Sequence, residues 1–168
     1  MKKGLLCISI LCSTLVFSQE QFAITEEGLT PKTITVQFEK TDLYTKALQW
    51  ITDHTKTYNL EVLETVENES IQFTSTKGNA VSLDKQYYNI RYTISLSFTD
   101  NQYSFETKTI DLKLNSKYDM GWKPFDQNNT AQYFKKGKPI KKYRAYLSSI
   151  TATLNALHLK LANYLKNN

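Results

Sequence analysis

Cysteine, glycine, proline and histidine are all scarce in this chain, and each scarcity removes a class of chemistry. The two cysteines, Cys7 and Cys12, both fall within the first dozen residues, so the rest has no disulfide framework, no thiolate nucleophile and no Cys metal ligand. Five glycines form no phosphate-cradling loop and no dinucleotide fingerprint. No G-x-S-x-G elbow is present. His54 and His158 are far apart and belong to no H-x-x-x-H pair, so a packed or helix-capping role is the expectation for His54, and neither a metal centre nor a cofactor is expected. Charge is mild, 21 basic against 16 acidic residues, which gives no reason to expect nucleic acid as a partner.

One long apolar run exists, and it is the first thing in the chain. "MKKGLLCISILCSTLVFSQ" opens with two lysines, continues apolar from Leu5 to Phe17 and ends on small Ser18. That is the layout of a secretory signal peptide, expected to be cut after Ser18. Neither cysteine follows a small residue, which argues against lipidation. The expected mature chain, 19–168, is a single domain, exported to the periplasm or secreted, with no later stretch of membrane length.

Aromatics are abundant by contrast, with eleven Tyr and eight Phe, and they favour strands. "LTPKTITVQF" alternates Ile34, Val36 and Phe38 as a strand opened by Pro31. From 41 to 55 the period changes: Thr41 is placed to cap, Asp42 to sit in the first turn, and Leu43, Ala47, Trp50, Ile51 and His54 share a helical face. A hairpin turning near Asn68–Glu69 follows, with Val66 expected opposite Ile71. "KGNA" at 77–80 reads as a turn with Gly78 left-handed.

"YNIRYTISLSF", residues 88–98, puts Tyr88, Ile90, Tyr92, Ile94, Leu96 and Phe98 on one side of an extended chain. A turn at Asp100–Asn101 sets Phe98 against Tyr103 and Leu96 against Phe105. Apolar parity then flips from odd (Tyr103, Phe105) to even (Ile110, Leu112, Leu114). An extra residue near Thr107–Thr109 restores the match, so a β-bulge is expected there, with Tyr92 facing Ile110, Ile90 facing Leu112 and Tyr88 facing Leu114. Arg91 then lies opposite Asp111 on the polar side.

The spacing Tyr143, Leu147, Ile150, Leu154, Leu157, Leu161, Tyr164 predicts a terminal helix of about 26 residues, roughly 39 Å long, enough to roof the long hairpin. The fold class is therefore α+β: an antiparallel sheet of about five strands with two helices on one face, in the order β-α-β-β-β-β-α. The other face, with Arg91, Thr93, Ser95, Glu106 and Asp111, is left open.

"KALQWI" on the first helix, "KGNA" and "YNIRYTISLSFTDNQYSF" resemble an exported bacterial family, domain of unknown function 4468, over roughly Phe22 to Leu114. The resemblance implies a TATA-binding-protein-like fold. It implies no activity and no catalytic residues, and the fold's name does not imply DNA binding.

Residues 115–142 form a connection far longer than the usual handful of residues. It interleaves the aromatics Tyr118, Trp122, Phe125, Tyr133 and Phe134 with Lys117, Lys123, Lys135, Lys136 and Lys138. Aromatics beside lysines suit sugars or acidic ligands, whereas the same aromatics would serve equally as a plug for the open end of the core. The candidate partner-binding residues are Tyr118, Trp122, Lys123, Phe125, Tyr133, Phe134, Lys135 and Lys136. The expected function is a non-enzymatic envelope module that binds a protein or a small, glycan-like ligand. The alternatives are a homodimer sealed by the terminal helix and a hydrolase of envelope polymers, for which no carboxylate pair stands out.

Overall fold

A computed structural model describes residues 20–38, 42–99, 101–118 and 121–168. The expected leader, Thr41 as a cap and Asp100 of the hairpin turn lie outside the described residues. A small hairpin comes first, β1 (Ala23–Thr25) and β2 (Gly28–Thr30), followed by β3 (Thr33–Gln37). Next are α1 (Leu43–Asp53), the single turn α2 (Thr55–Tyr58), β4 (Leu60–Val66), β5 (Ser70–Leu83), β6 (Gln86–Thr99) and β7 (Gln102–Leu114). The chain closes with β8 (Lys123–Pro124), the hairpin β9 (Phe134–Lys135) and β10 (Lys138–Pro139), and α3 (Arg144–Asn167).

The main sheet runs β3-β7-β6-β5-β4, antiparallel throughout, and β8 joins β7 beyond the end of β3. The first of the five long strands therefore pairs with the last. Helix α1 carries the chain across the apolar face to the far edge, which is the order expected from the residues. The β6–β7 register matches residue for residue, from Tyr88 opposite Leu114 to Phe98 opposite Tyr103. Its one shift leaves Lys108 unpaired between Thr107 and Thr109, at the predicted bulge.

Three local expectations need correction. Val66 pairs with Ser70 and Thr65 with Ile71, because Glu67, Asn68 and Glu69 make a three-residue turn with Asn68 left-handed (φ 59°). Residues 77–80 are no turn. They are an irregularity inside β5, where Asn79 and not Gly78 takes positive φ, and the chain reverses at Asp84–Lys85, both left-handed. Asp42 stands at the N-cap of α1 in a left-handed conformation, without a side-chain capping bond, so it is not inside the first turn.

Helix α3 spans 24 residues and lies on the sheet. Leu147, Ile150, Leu154, Leu157 and Leu161 are buried, as their spacing predicts. So are Tyr146, Thr151, His158, Ala162 and Leu165, which widen the contact beyond the expected stripe. Tyr143 and Tyr164 at the ends are half-buried. Helix α3 thus spends its apolar face on its own sheet, and a seam with a second copy would have to use other residues.

Two buried tyrosines on neighbouring strands differ in one respect. The Tyr92 hydroxyl donates to the Ile150 carbonyl, tying β6 to α3, while the Tyr103 hydroxyl finds no partner among the described groups. Burial pushes both phenols well above their ordinary range, so both stay protonated. Tyr92→Phe is expected to cost about 1 kcal/mol. Tyr103→Phe should be neutral or stabilising by up to about 1 kcal/mol, because it removes a buried polar group that gains nothing. Urea midpoints of the two variants test the contrast.

The N-terminal segment, which the sequence left unassigned, is anchored to α3. Phe22 N donates to Asn155 Oδ1 at 2.8 Å, and Asn155 Nδ2 donates to the Phe22 carbonyl at 2.9 Å. Gly28 in the β1–β2 hairpin is required where it stands. Its φ is 125°, and a Cβ there would meet the Gln127 carbonyl oxygen at 2.5 Å.

Candidate functional site

The alternation that fills the core leaves a polar mirror image on the other face. Across it run Thr33, Glu106, Ser95, Gln72 and Glu64 in one row, then Thr109, Thr93, Thr74 and Glu61 in another, each set by strand register. Neighbours bond across strands, for instance Thr109 Oγ1 to Thr93 Oγ1 at 2.9 Å and Thr35 to Ser104 at 3.1 Å. No helix of the described residues covers this face.

At one end the surface becomes more elaborate. Arg91 donates through Nε (3.3 Å) and Nη2 (3.1 Å) to Asp111 Oδ2, the cross-strand pair expected from the register. Trp122 completes a stack, with the Arg91 Cζ 4.7 Å from its ring centroid. The position of Trp122 follows from β8. Pro124 pairs with Asp111 and Lys123 with Leu112, so a residue two places before Pro124 falls on the polar side. Gly121, with φ 124°, makes the approach to that edge.

Beside this stack three asparagines converge, Asn79 of β5, Asn89 of β6 and Asn115 just past the end of β7. Asn79 N donates to Asn89 Oδ1 at 2.9 Å, and Asn115 Nδ2 donates to Asn79 Oδ1 at 2.6 Å. Left-handed Asn79, produced by the irregularity of β5, is what turns its side chain into the group. Lys113, opposite Asn89, borders it. Asn79 and Asn115 carry no sequence signal of their own, since each depends on where β5 bends and β7 stops.

The remaining candidates from the long connection scatter. Phe125 is buried, stacked on Tyr133 at 5.9 Å and edge-on to Tyr146 at 6.2 Å, and its N–H bonds the Ile110 carbonyl. Tyr133 in turn meets Tyr143 at 5.0 Å. Phe125 is therefore closed to any ligand, and together with Tyr133 it plugs the end of the core. Phe134 is half-buried against the core. Tyr118 stands 83% exposed with Lys117 Nζ 5.9 Å from its ring. Lys123 is exposed on β8, while Lys135 and Lys136 are exposed at the β9–β10 turn. Of the eight, only Trp122 joins the Arg91 end of the open face.

A separate cavity of about 210 Å³ lies at the β7 bulge, between Lys32, Glu106, Thr107, Lys108, Gln127 and Asn128. Gln127 Nε2 donates to the carbonyls of Thr107 (3.2 Å) and Lys108 (2.9 Å), satisfying backbone that the bulge leaves unpaired. His158 is elsewhere, buried beside Phe105 (ring centroids 5.0 Å), and its Nε2 has no partner among the described groups. Burial holds its pKa down to about 4, so it packs as a neutral ring. Among the described residues no group of three or more His, Cys, Asp or Glu side chains is placed to hold a metal ion.

Residues 34–113, from β3 to near the end of β7, match the family model described as "Domain of unknown function (DUF4468) with TBP-like fold". The chain resembles this family. A crystal structure described as a TBP-like protein from Parabacteroides distasonis ATCC 8503 superposes with a TM-score of 0.53 at 17% identity, covering 79% of this chain and 90% of that one. The DUF4468 span and this neighbour agree on an α+β, TBP-like fold. No curated protein matches the chain. The DUF4468 match holds Arg91, Asp111, Asn79 and Asn89, but neither Trp122 nor α3.

Proposed function

We propose that the chain is a non-catalytic binding module of the cell envelope. Its ligand would be glycan-like, taken at the Arg91 end of the open face. The observation that carries this reading is the grouping of Trp122, Arg91 and Asp111 with Asn79, Asn89 and Asn115 on an otherwise hydroxyl- and amide-rich sheet. Sugars present hydroxyls on their rim and C–H groups on their faces. Amides and fixed charges answer the first, and an indole answers the second. The expected leader at residues 1–18 supports an envelope location.

Hydrolysis at the Arg91 end of the face fits less well. Glu106 and Asp111, both on the open face, stand opposite Ser95 and Arg91, four β6 positions or about 13 Å apart, beyond the separation that acid–base pairs on sugars use. Each is also held in an ion pair, with Lys108 at 2.7 Å and with Arg91 at 3.1 Å.

Fluorescence provides the test, since Trp50 is buried and Trp122 is the accessible indole. Titration with soluble cell-wall glycan fragments and a panel of neutral oligosaccharides should perturb Trp122 emission with at least one of them. Measured by titration calorimetry, because the first substitution removes the reporter, Trp122→Ala and Arg91→Ala are each expected to weaken that binding by roughly tenfold or more while moving the melting temperature little. A panel with no binder, or a binder indifferent to both substitutions, removes the proposal.

A further inference from the structure

The positive charge of this chain sits in one place. From residue 19 onward there are 19 basic and 16 acidic residues, and the ten residues Lys135–Arg144 hold six of the basic and none of the acidic. Outside that segment 13 basic face 16 acidic, so the rest of the chain after residue 18 is net negative.

Structure makes the segment a protruding unit. Strands β9 and β10 form a two-stranded hairpin whose turn is held by left-handed Lys136 (φ 54°) and Gly137 (φ 71°). Lys135, Lys136, Lys138, Lys141, Lys142 and Arg144 are all exposed. The hairpin's base is fixed to the plug, where Ile140 N donates to the Tyr133 carbonyl at 2.9 Å. Between the lysine stems, Pro139 and Ile140 floor a shallow open concavity of about 500 Å³. Glu26 comes near Gly137, and Asp84 lies close enough to act on Lys142, so two carboxylates border six cations. Among the described residues no salt bridge draws on the six.

We infer that this hairpin docks the protein onto an anionic phospholipid surface. A cluster of four to eight Lys and Arg is the size that phosphate headgroups hold, each cation strengthening attachment about fivefold. The net-negative remainder is repelled by the same surface, so the hairpin leads. A plane of headgroups suits a short convex tip better than a polyanionic strand does. Strand binding asks for free aromatic rings beside the cations, but Tyr133 and Tyr143 here are packed against each other and Tyr146. No helix of the described residues is long and apolar enough to cross a membrane, so this would be surface attachment.

Vesicle sedimentation tests it, using residues 19–168, which hold every described element. The protein should pellet with phosphatidylcholine vesicles that contain phosphatidylglycerol, stay in solution with phosphatidylcholine alone, and be released by high salt. Lys135→Glu, Lys136→Glu and Lys138→Glu combined should lower partition by about two orders of magnitude or more. The circular dichroism of the triple variant should stay unchanged, because all three side chains are in water. Equal pelleting of the triple variant, equal pelleting with neutral vesicles, or no pelleting with either would each overturn the inference. So would retention by an anionic oligonucleotide without any by vesicles.

Discussion

Replacing Phe105 with alanine is expected to lower the unfolding free energy by about 3–5 kcal/mol, the cost of an aromatic-sized void in a closed core. For a chain of this size that is a fall in melting temperature on the order of 10 °C. Phe105 is fully buried at the meeting point of three parts of the fold. It projects from β7, stands 5.9 Å from Phe22 of the N-terminal segment and lies 5.0 Å from His158 of α3. Collapse of Phe22 into the space is limited, since it is tethered to Asn155 on both backbone atoms. The comparison variant is Ser97→Ala, on the exposed side of β6, which should change stability by no more than about 0.5 kcal/mol. Chemical denaturation of the two decides whether α3 roofs the sheet in solution. Equal, small losses would mean that this face is not closed.

Acid should destabilise the protein through one side chain. His158 titrates at about 4 when folded, against about 6.5 in an unfolded chain. Well above pH 6.5 both states hold it neutral, and this side chain costs no stability. As pH falls from there toward 4, the unfolded state takes up a proton that the folded state refuses, so stability drops, by up to roughly 3 kcal/mol. Leucine at this position cannot titrate and fills a similar volume. The stability difference between the wild type and His158→Leu should therefore depend on pH across that window and level off above it. All other titratable groups are common to both chains and cancel. A difference that stays constant from pH 7 to pH 4 would show that the ring is not enclosed as described.

Much of this architecture is legible in the sequence because β6 and β7 are amphipathic along their whole length. Their parity flip at Thr107–Thr109 leaves one bulge position as the only way to keep both apolar sets on one face. The leucine spacing of α3 works the same way. Legibility fails where a single residue's conformation decides. The three-residue turn at Glu67–Glu69 shifts β4 by one position, and that rests on Asn68 being left-handed. The reversal at Asp84–Lys85 needs a lysine at φ 65°, which no composition rule favours over the nearby Gly78. Segments shorter than a full period escape for a different reason. The strands β1, β2 and β8 have two or three residues each, too few to show alternation.

The candidate site divides along the same line. The Arg91–Asp111 pair follows from register alone. Residue type alone points to Trp122, but its stacking on Arg91 depends on the short pairing of β8 with β7. Phe125 and Tyr133 have the same composition signal as Trp122, yet they turn inward because Tyr143 and Tyr146 are waiting at the start of α3. Sequence spacing alone cannot distinguish an aromatic that meets solvent from one that meets another aromatic a few elements away.

Helix α3 lies wholly beyond residues 34–113, the stretch matched to the family. Trimmed to those boundaries, the polypeptide would keep α1 and nearly all of the five long strands but leave Tyr92, Tyr103 and Phe105, which meet α3, stripped on one flank. A recombinant fragment drawn to the matched limits should therefore come out sticky and poorly behaved. The smallest autonomous unit has to run through to the closing leucines.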